Sequence, residues 1–326
     1  MPFTRRAFLL FSGASAFAAA LPSPAPAQSF PTRPVRMIVG FPAGGATDLL
    51  ARDIASELEK VWGQPVIVDN RGGANGAIAA TQLAKLPADG HTLMLIVSGH
   101  VTNPFALPNA GYDAIKDCTP ITLVGSSPLL IFAHAGYQAS DIKAVISLAK
   151  EKPNSISYVS PGVASINHLS MELMAFLTGT QLMHVPYRGA APALNDVLGG
   201  HVPLGAFSVL QVLPLLQSKS VKPLAVTSAK ATELLPHVPS LTEVGVRGYE
   251  AEIWWAVTGP PGLPPTIAAK VNADVNRIIK SPPMQQKLAA QGARPIGSTQ
   301  DELIAFMQTE TVKWARVIKE ARIKAE

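Results

Sequence analysis

From Pro34 onward, short unbroken apolar runs alternate with longer segments in which apolar residues recur every three to four positions, and clusters of small residues separate the two. "VRMIVGF" has the length and composition of a buried strand, and Asp48 to Trp62 carries Leu49, Leu50, Ile54, Leu58 and Val61 on one helical side. "PVIVDN" predicts the next strand, Ala77 to Leu86 a second helix, and "HTLMLIVS" a third strand after the Asp89-Gly90 turn. The order βαβαβ predicts a mostly parallel sheet.

The pattern then restarts. "LLIFAH", "ISYVS", "LMHVPY", "VPLGAF" and "KPLAVTS" read as strands, separated by helices at Asp141 to Lys150, Ser165 to Leu177, Ala190 to Leu198 and Gln211 to Gln217. Two α/β units in series fit the length better than one very wide sheet. The tail differs: the aromatic strand "AEIWWAVTGP" and the turn "PPGLPP" precede two amphipathic helices, Thr266 to Ile279 and Gln300 to Lys324. Helices without strands between them need a sheet to pack on, and the simplest solution returns the tail to the first unit. The expected fold class is therefore α/β, with lobe 1 made of residues 28–125 and 252–326 and lobe 2 of residues 126–251. Ile121 to Leu130 and Glu250 to Val257 would cross between them, and the cleft is the default ligand site.

Residues 1–27 stand outside this pattern. Arg5 and Arg6 form a basic start, Phe8 to Leu21 is apolar and rich in small residues, and Ala25-Pro26-Ala27 matches a cleavage site, so the segment reads as an export signal. Thr4 to Leu9 is also twin-arginine-like, although an ordinary secretory signal fits as well. The apolar run is shorter than the roughly 20 residues that cross a bilayer. The expectation is a soluble protein outside the cytoplasm, a monomer, with the signal removed near Gln28.

The remaining composition narrows the chemistry. Cys118 is the only cysteine, which rules out an internal disulfide framework or a Cys-based metal site and reads as a small buried hydrophobe. The formal charge of +5 includes Arg5 and Arg6, and the other Lys and Arg are scattered. That suits capture of small anions and gives no stripe to track a nucleic acid.

The strand ends make loops of one kind: "GFPAGGATD" at 40–48, "NRGGANGA" at 70–77, "SGHVTN" at 98–103, "SPGVASIN" at 160–167, "YRGAAPA" at 187–193 and "FSV" at 207–209. All precede helices at carboxyl ends of strands, where open α/β sheets bind ligands. Gly and Ala admit a ligand close to the backbone, and free N–H groups of a helix's first turn carry partial positive charge. Any one loop could be merely a tight turn; recurrence in both units favours an anion cleft. "GGATD" lacks the Lys of a phosphate loop, and "GGANGA" fits the dinucleotide fingerprint only loosely. His168 and Glu172 lie one helical turn apart but lack a third metal ligand, so a structural pair with His168 bonded to a carbonyl is expected, with His184 and His201 filling the interior. No nucleophile elbow occurs. Arg188, between "HVPY" and the helix "GAAPALNDVL", could pair with a carboxylate in bidentate fashion or bridge to a neighbouring loop.

"FPAGGATDLLAR", "GQPVIVDNRGGANGAIAA", "PADGHTL", "HVPYRGAAPALNDVLGGHV" and "LAVTSAK" together resemble the extracytoplasmic solute-binding receptors of tripartite tricarboxylate transporters, the Bug family. The similarity runs from about Phe30 to the C-terminus, with the motifs in order. The resemblance implies a periplasmic binding protein of type II-like fold that closes on a small carboxylate and presents it to membrane permease subunits, with no catalysis, cofactor or metal. It implies a site of Phe41, Ala43, Gly44, Gly45, Thr47 and Asp48, with Gly76, Ala77 and Ser98, in the first lobe. The second lobe would add Ser160, Gly162, Ser165, Asn167, Tyr187, Arg188, Gly189 and Ala190, with Thr47 capping the first helix. Phe207 and Ser208 stand where many relatives carry an acid, which disfavours an amino acid ligand and favours an uncharged or aromatic body. His100 and Ser127 are further candidates for specificity. Ala164 replaces a usual Gly and would narrow the pocket; His91 replaces a usual Tyr outside it. The rival readings are a receptor for a membrane sensor kinase and an exported enzyme on the same fold.

Overall fold

The computed structural model describes residues 30–107, 109–290, 292–321 and 323. The expected signal segment and the end of the last predicted helix lie outside them. Strands β1 (Val35–Val39), β2 (Val66–Asn70) and β3 (Thr92–Val97) run parallel in the order β2-β1-β3. Strand β4 (Thr119–His134) follows, and β5 (Ser157–Ser160), β6 (Met183–Pro186), β7 (Leu204–Ser208) and β8 (Val221–Val226) build the second half of the sheet. Strand β9 (Glu252–Gly259) returns to pair antiparallel with both β3 and β4.

The two predicted units share one strand. The first part of β4 pairs with β9 and the last part with β7 and β8, so a single strand of 16 residues passes through both lobes. The sequence suggested only its apolar end, "LLIFAH", as strand. Pro120, Gly125 and Pro128 look like breakers, but the register with β9 shifts twice along this stretch and absorbs the irregularity. Gly125 is required for a different reason: a Cβ there would meet the Arg294 carbonyl oxygen at 2.5 Å, where β10 (Arg294–Pro295) pairs with β4.

Side-chain alternation divides each half-sheet's core in two. Met37, Leu95 and Val257 pack on one face of the first lobe with helices α1 (Ala46–Trp62) and α8 (Pro265–Ile279), while Ile38, Met94 and Ala256 pack on the other with α2 (Ala77–Leu83). In the second lobe, Ile131 and Tyr158 meet α4 (Ile142–Glu151) and α5 (Ile166–Thr178), and Phe132 and Val159 meet α6 (Ala190–Leu198) and α7 (Val209–Gln217). Strands covered on both faces are apolar at every position, which is why these read as continuous runs. On α1 the buried side includes Leu50, Ile54 and Leu58, whereas Leu49 and Val61 are exposed by 43% and 42%.

Two helices were not foreseen, α3 (Gly99–Ala106) and α9 (Pro282–Ala290). The long tail helix α10 (Gln300–Glu320) starts with a capping box in which Thr299 and Glu302 bond each other's backbone amides. At a rise of roughly 1.5 Å per residue it is long enough to reach both lobes. Its start packs Leu303 and Met307 into the first lobe, and its end packs Trp314, Val317 and Ile318 into the second, so the tail does not return to the first unit alone. Between these stretches, buried Glu310 accepts the indole N–H groups of Trp254 (3.1 Å) and Trp314 (2.9 Å).

Candidate functional site

Five helices begin at one cleft. The residues that immediately precede α1, α3, α5, α6 and α7 are Gly45, Ser98, Ser165, Gly189 and Ser208, and all five line the same cavity of about 350 Å³. The first-turn N–H groups of a helix lack intrahelical acceptors and carry partial positive charge, so this convergence makes a cleft fit for an anion.

The first jaw is the loop from β1 into α1. Phe41, Ala43, Gly44, Gly45 and Thr47 line the cleft. Asp48 does not: it is 2% exposed, and its carboxylate accepts from the Gly44 N–H (2.9 Å), Arg52 Nε (3.0 Å) and Asn70 Nδ2 (2.9 Å). Burial works to raise its pKa, but the hydrogen bonds from Arg52, Gly44 and Asn70 outweigh this and hold the carboxyl below its ordinary value. Asp48 thus shapes the loop, with Gly44 at φ +86°, rather than facing a ligand. Thr47 is not the cap either; Gly45 holds that position, and Thr47 Oγ1 accepts the Trp255 indole N–H at 3.2 Å.

The neighbouring loops are packed beneath the first. A Cβ on Gly40 would meet the Gly76 Cα at 2.8 Å, so the first two strand-end loops touch through bare backbone. Gly76 and Ala77 are buried and outside the cleft wall; Asn75, which the sequence reading passed over, lines it instead. Ser98 lines the cleft with its Oγ fully buried, and among the described residues it is the one buried side-chain polar atom without a hydrogen-bond partner. His100 lies behind the wall, where its Nε2 meets the Ala114 carbonyl at 2.8 Å and burial pushes its pKa down to about 4. Ser127 is also interior, donating to the Gly292 carbonyl at 2.8 Å.

In the second lobe, Ser165 and Asn167 reach the cleft, while Ser160 and Gly162 are set back from it. Ser160 Oγ lies 2.6 Å from His184 Nε2, and His184 stacks on His168 with ring centroids 3.7 Å apart and planes 8° from parallel. His168 Nδ1 accepts the Ala164 N–H at 3.1 Å, a backbone amide rather than the expected carbonyl, and its Nε2 faces Glu172 at 3.9 Å. The Tyr158 hydroxyl donates to Glu172 at 2.6 Å. Burial, reinforced by the neighbouring ring, pushes His168 down to about 3, and burial pushes His184 to about 4. Glu172 is raised by burial despite the bond from Tyr158. No group of three or more metal-ligating side chains occurs among the described residues. Ala164 has φ +62°, which explains a preference for Gly there; it is buried outside the cleft wall. His201 is exposed near Asp196 rather than interior.

Arg188, Gly189 and Ala190 line the cleft; Tyr187 turns away to bond Asp196. Arg188 is exposed and makes no ion pair with any described residue, so the alternative bridge to a neighbouring loop is not formed. Phe207 and Ser208 complete the wall, although the Phe207 ring is fully buried against Phe132, 6.2 Å between centroids. Leu49, Leu194, Leu210 and Ile253 also line it. Helical periodicity had placed Leu49 in the core, and nothing in the spacing singled out the others. Cys118 is buried, as expected, and burial pushes its thiol up to about 12.

A two-lobed α/β fold with helix starts converging on an interlobe cleft defines a solute-binding protein. The family model described as "Tripartite tricarboxylate transporter family receptor" matches residues 50–323, and the chain belongs to that family. It is 34% identical to Protein BugT of Bordetella pertussis over 311 residues, covering 94% of each chain. Among solved structures, an R. palustris protein with adipate is 37% identical, with TM-score 0.87 and coverage of 90% of this chain and 99% of that one. MatC from Rhodopseudomonas palustris with bound malate is 30% identical, with TM-score 0.83 and coverage of 89% and 100%.

Proposed function

We propose that this protein is a periplasmic receptor that captures a small carboxylate between its lobes and delivers it to the membrane subunits of a tripartite tricarboxylate-type transporter. The observation that carries the reading is the convergence of five helix starts and Arg188 on one cleft. Adipate and malate in the two related structures support the carboxylate class. The carboxylate would bind loops of one lobe, and the other lobe would close by hinge motion because its loops gain contacts only in the closed state. Ordered water can bridge carboxylate and backbone at little entropic cost. No bond is made or broken.

A thermal shift screen of carboxylates against uncharged analogues tests this. A ligand at about 100 times its dissociation constant stabilises the fold by roughly 2.7 kcal/mol. Stabilisation by no carboxylate, or consumption of a bound one, would refute the receptor reading.

A further inference from the structure

We infer that Thr102 is a positioning residue for ligand capture: its hydroxyl joins the starts of α3 and α5 across the cleft base and holds them at the spacing a bound solute meets. The inference rests on the receptor reading above. Ser98 and Gly99 at the start of α3 line the cleft from the first lobe, and Ser165 at the start of α5 lines it from the second. Thr102, one turn into α3, donates to the carbonyl of Ala164, the residue just before Ser165, at 3.0 Å. Both residues are fully buried. The Ser127 bond to Gly292 lies on β4, the strand that runs through both lobes, whereas the Thr102 bond joins two elements that open onto the cavity.

Ala164 is held on both sides of its backbone. Its N–H goes to His168 Nδ1 at 3.1 Å and its carbonyl to Thr102, while its φ is +62°, a conformation that a non-glycine residue keeps only where its surroundings impose it. The Thr102 hydroxyl has a second acceptor at 3.2 Å, the Gly99 carbonyl of its own helix. A hydroxyl carries one proton, so when the lobes part it keeps Gly99 as acceptor while the Ala164 carbonyl passes to water. Neither group is stranded in the open state, and the bond is strongest between closed lobes, where water is excluded. The jaws also meet at the mouth, where a Cβ on Gly189 would stand 3.7 Å from Pro42 Cγ. That apolar contact has no direction; the Thr102 bond at the base supplies one.

Calorimetric titration of the full protein with adipate, malate, hexanoate and benzoate tests the inference. Two variants are compared with the unaltered chain: Thr102→Val, which keeps the shape and loses the hydroxyl, and Thr102→Ser, which keeps the hydroxyl. Valine leaves the Ala164 carbonyl without a donor when the lobes close, whereas water reaches it when they part. Thr102→Val is therefore expected to bind the tightest of the four acids about tenfold more weakly, about 1.4 kcal/mol, with the melting temperature of the free protein unchanged. Thr102→Ser is expected to stay within about twofold of the unaltered affinity. Unchanged affinity in Thr102→Val, an equal loss in both variants, or failure of Thr102→Val to fold overturns the inference and leaves the receptor reading standing. A melting temperature that falls together with affinity makes Thr102 a structural group and overturns it likewise. Binding of none of the four acids by the unaltered protein counts against the receptor reading and overturns the inference with it.

Discussion

The two jaws of the cleft present the same backbone feature, a helix start behind a small-residue loop, but they are held from behind in opposite ways. In the first lobe the support is a charge: ionised Asp48 gathers the Gly44 amide, Arg52 and Asn70. In the second it is a neutral stack, in which His168 holds the Ala164 amide and His184 reaches Ser160. On α1 no side chain caps the first-turn N–H groups, while on α5 the Ser165 hydroxyl accepts one of them, the His168 N–H. The difference teaches that the first jaw tolerates mild acid and the second does not, since burial disfavours the imidazolium form.

Acid separates the two jaws most strongly. Both imidazoles have folded-state pKa values depressed below their ordinary value of about 6.5, so below that pH the unfolded chain binds more protons than the folded one and stability falls as pH drops. Because the unfolded imidazoles are only half protonated at about pH 6.5, each contributes about 1 kcal/mol over the next pH unit, so the pair removes roughly 2 kcal/mol between about pH 6.5 and 5.5. Glu172, raised by burial, trims this loss because the folded state holds its proton more readily. Asp48, with a depressed pKa, keeps its contribution through that window and loses it only as pH falls below the ordinary carboxylate range. Urea unfolding at the two pH values is expected to show the loss, and His184→Gln to shrink it; equal stability at both would dissolve the contrast between the jaws.

Asp48→Ala attacks the charged jaw directly. It strands three donors, so a loss of about 2 kcal/mol in stability is expected by urea unfolding, together with weaker ligand binding. Retained stability would mean that the Gly44 turn holds itself. Arg188→Ala should behave differently because the side chain supports nothing: calorimetry is expected to show carboxylate affinity falling about tenfold, roughly 1.4 kcal/mol, with the melting temperature of the free protein unchanged. Unaltered affinity would remove Arg188 from the site. The smallest effect belongs to Ser98→Ala, expected to shift free-protein stability by less than about 0.5 kcal/mol, because its hydroxyl has no partner to lose, while weakening the bound state. Equal ligand affinity in the variant would show that the hydroxyl faces the cleft without using it.

Much of the fold was legible because burial on both faces writes a strand as an unbroken apolar run and partial burial writes a helix at a three-to-four spacing. Elements failed to register where local preference opposes the observed structure. Gly99, Thr102 and Pro104 are poor helix residues, yet α3 forms, with Thr102 donating to the Ala164 carbonyl across the cleft base at 3.0 Å. Two prolines hid the start of α9, and breakers inside β4 hid its length. For the site, the loops and Arg188 were legible as small residues and a cation at strand ends. Asp48, Ser160 and Tyr187 belong to the same motifs, but their hydrogen bonds turn them away from the cavity.

The sequence by itself determined the alternation of strands and helices, the position of every cleft-facing loop, and the scarcity of charge among them, since each depends on neighbours a few residues apart. Only the tertiary structure decided which of those residues meet. Leu49, Leu194, Leu210 and Ile253 share a wall because β4 and β9 carry the chain between lobes, and α10 packs its apolar side chains into both. Such contacts join residues up to about two hundred positions apart, a separation at which periodicity carries no information and only the packing of whole sheets decides.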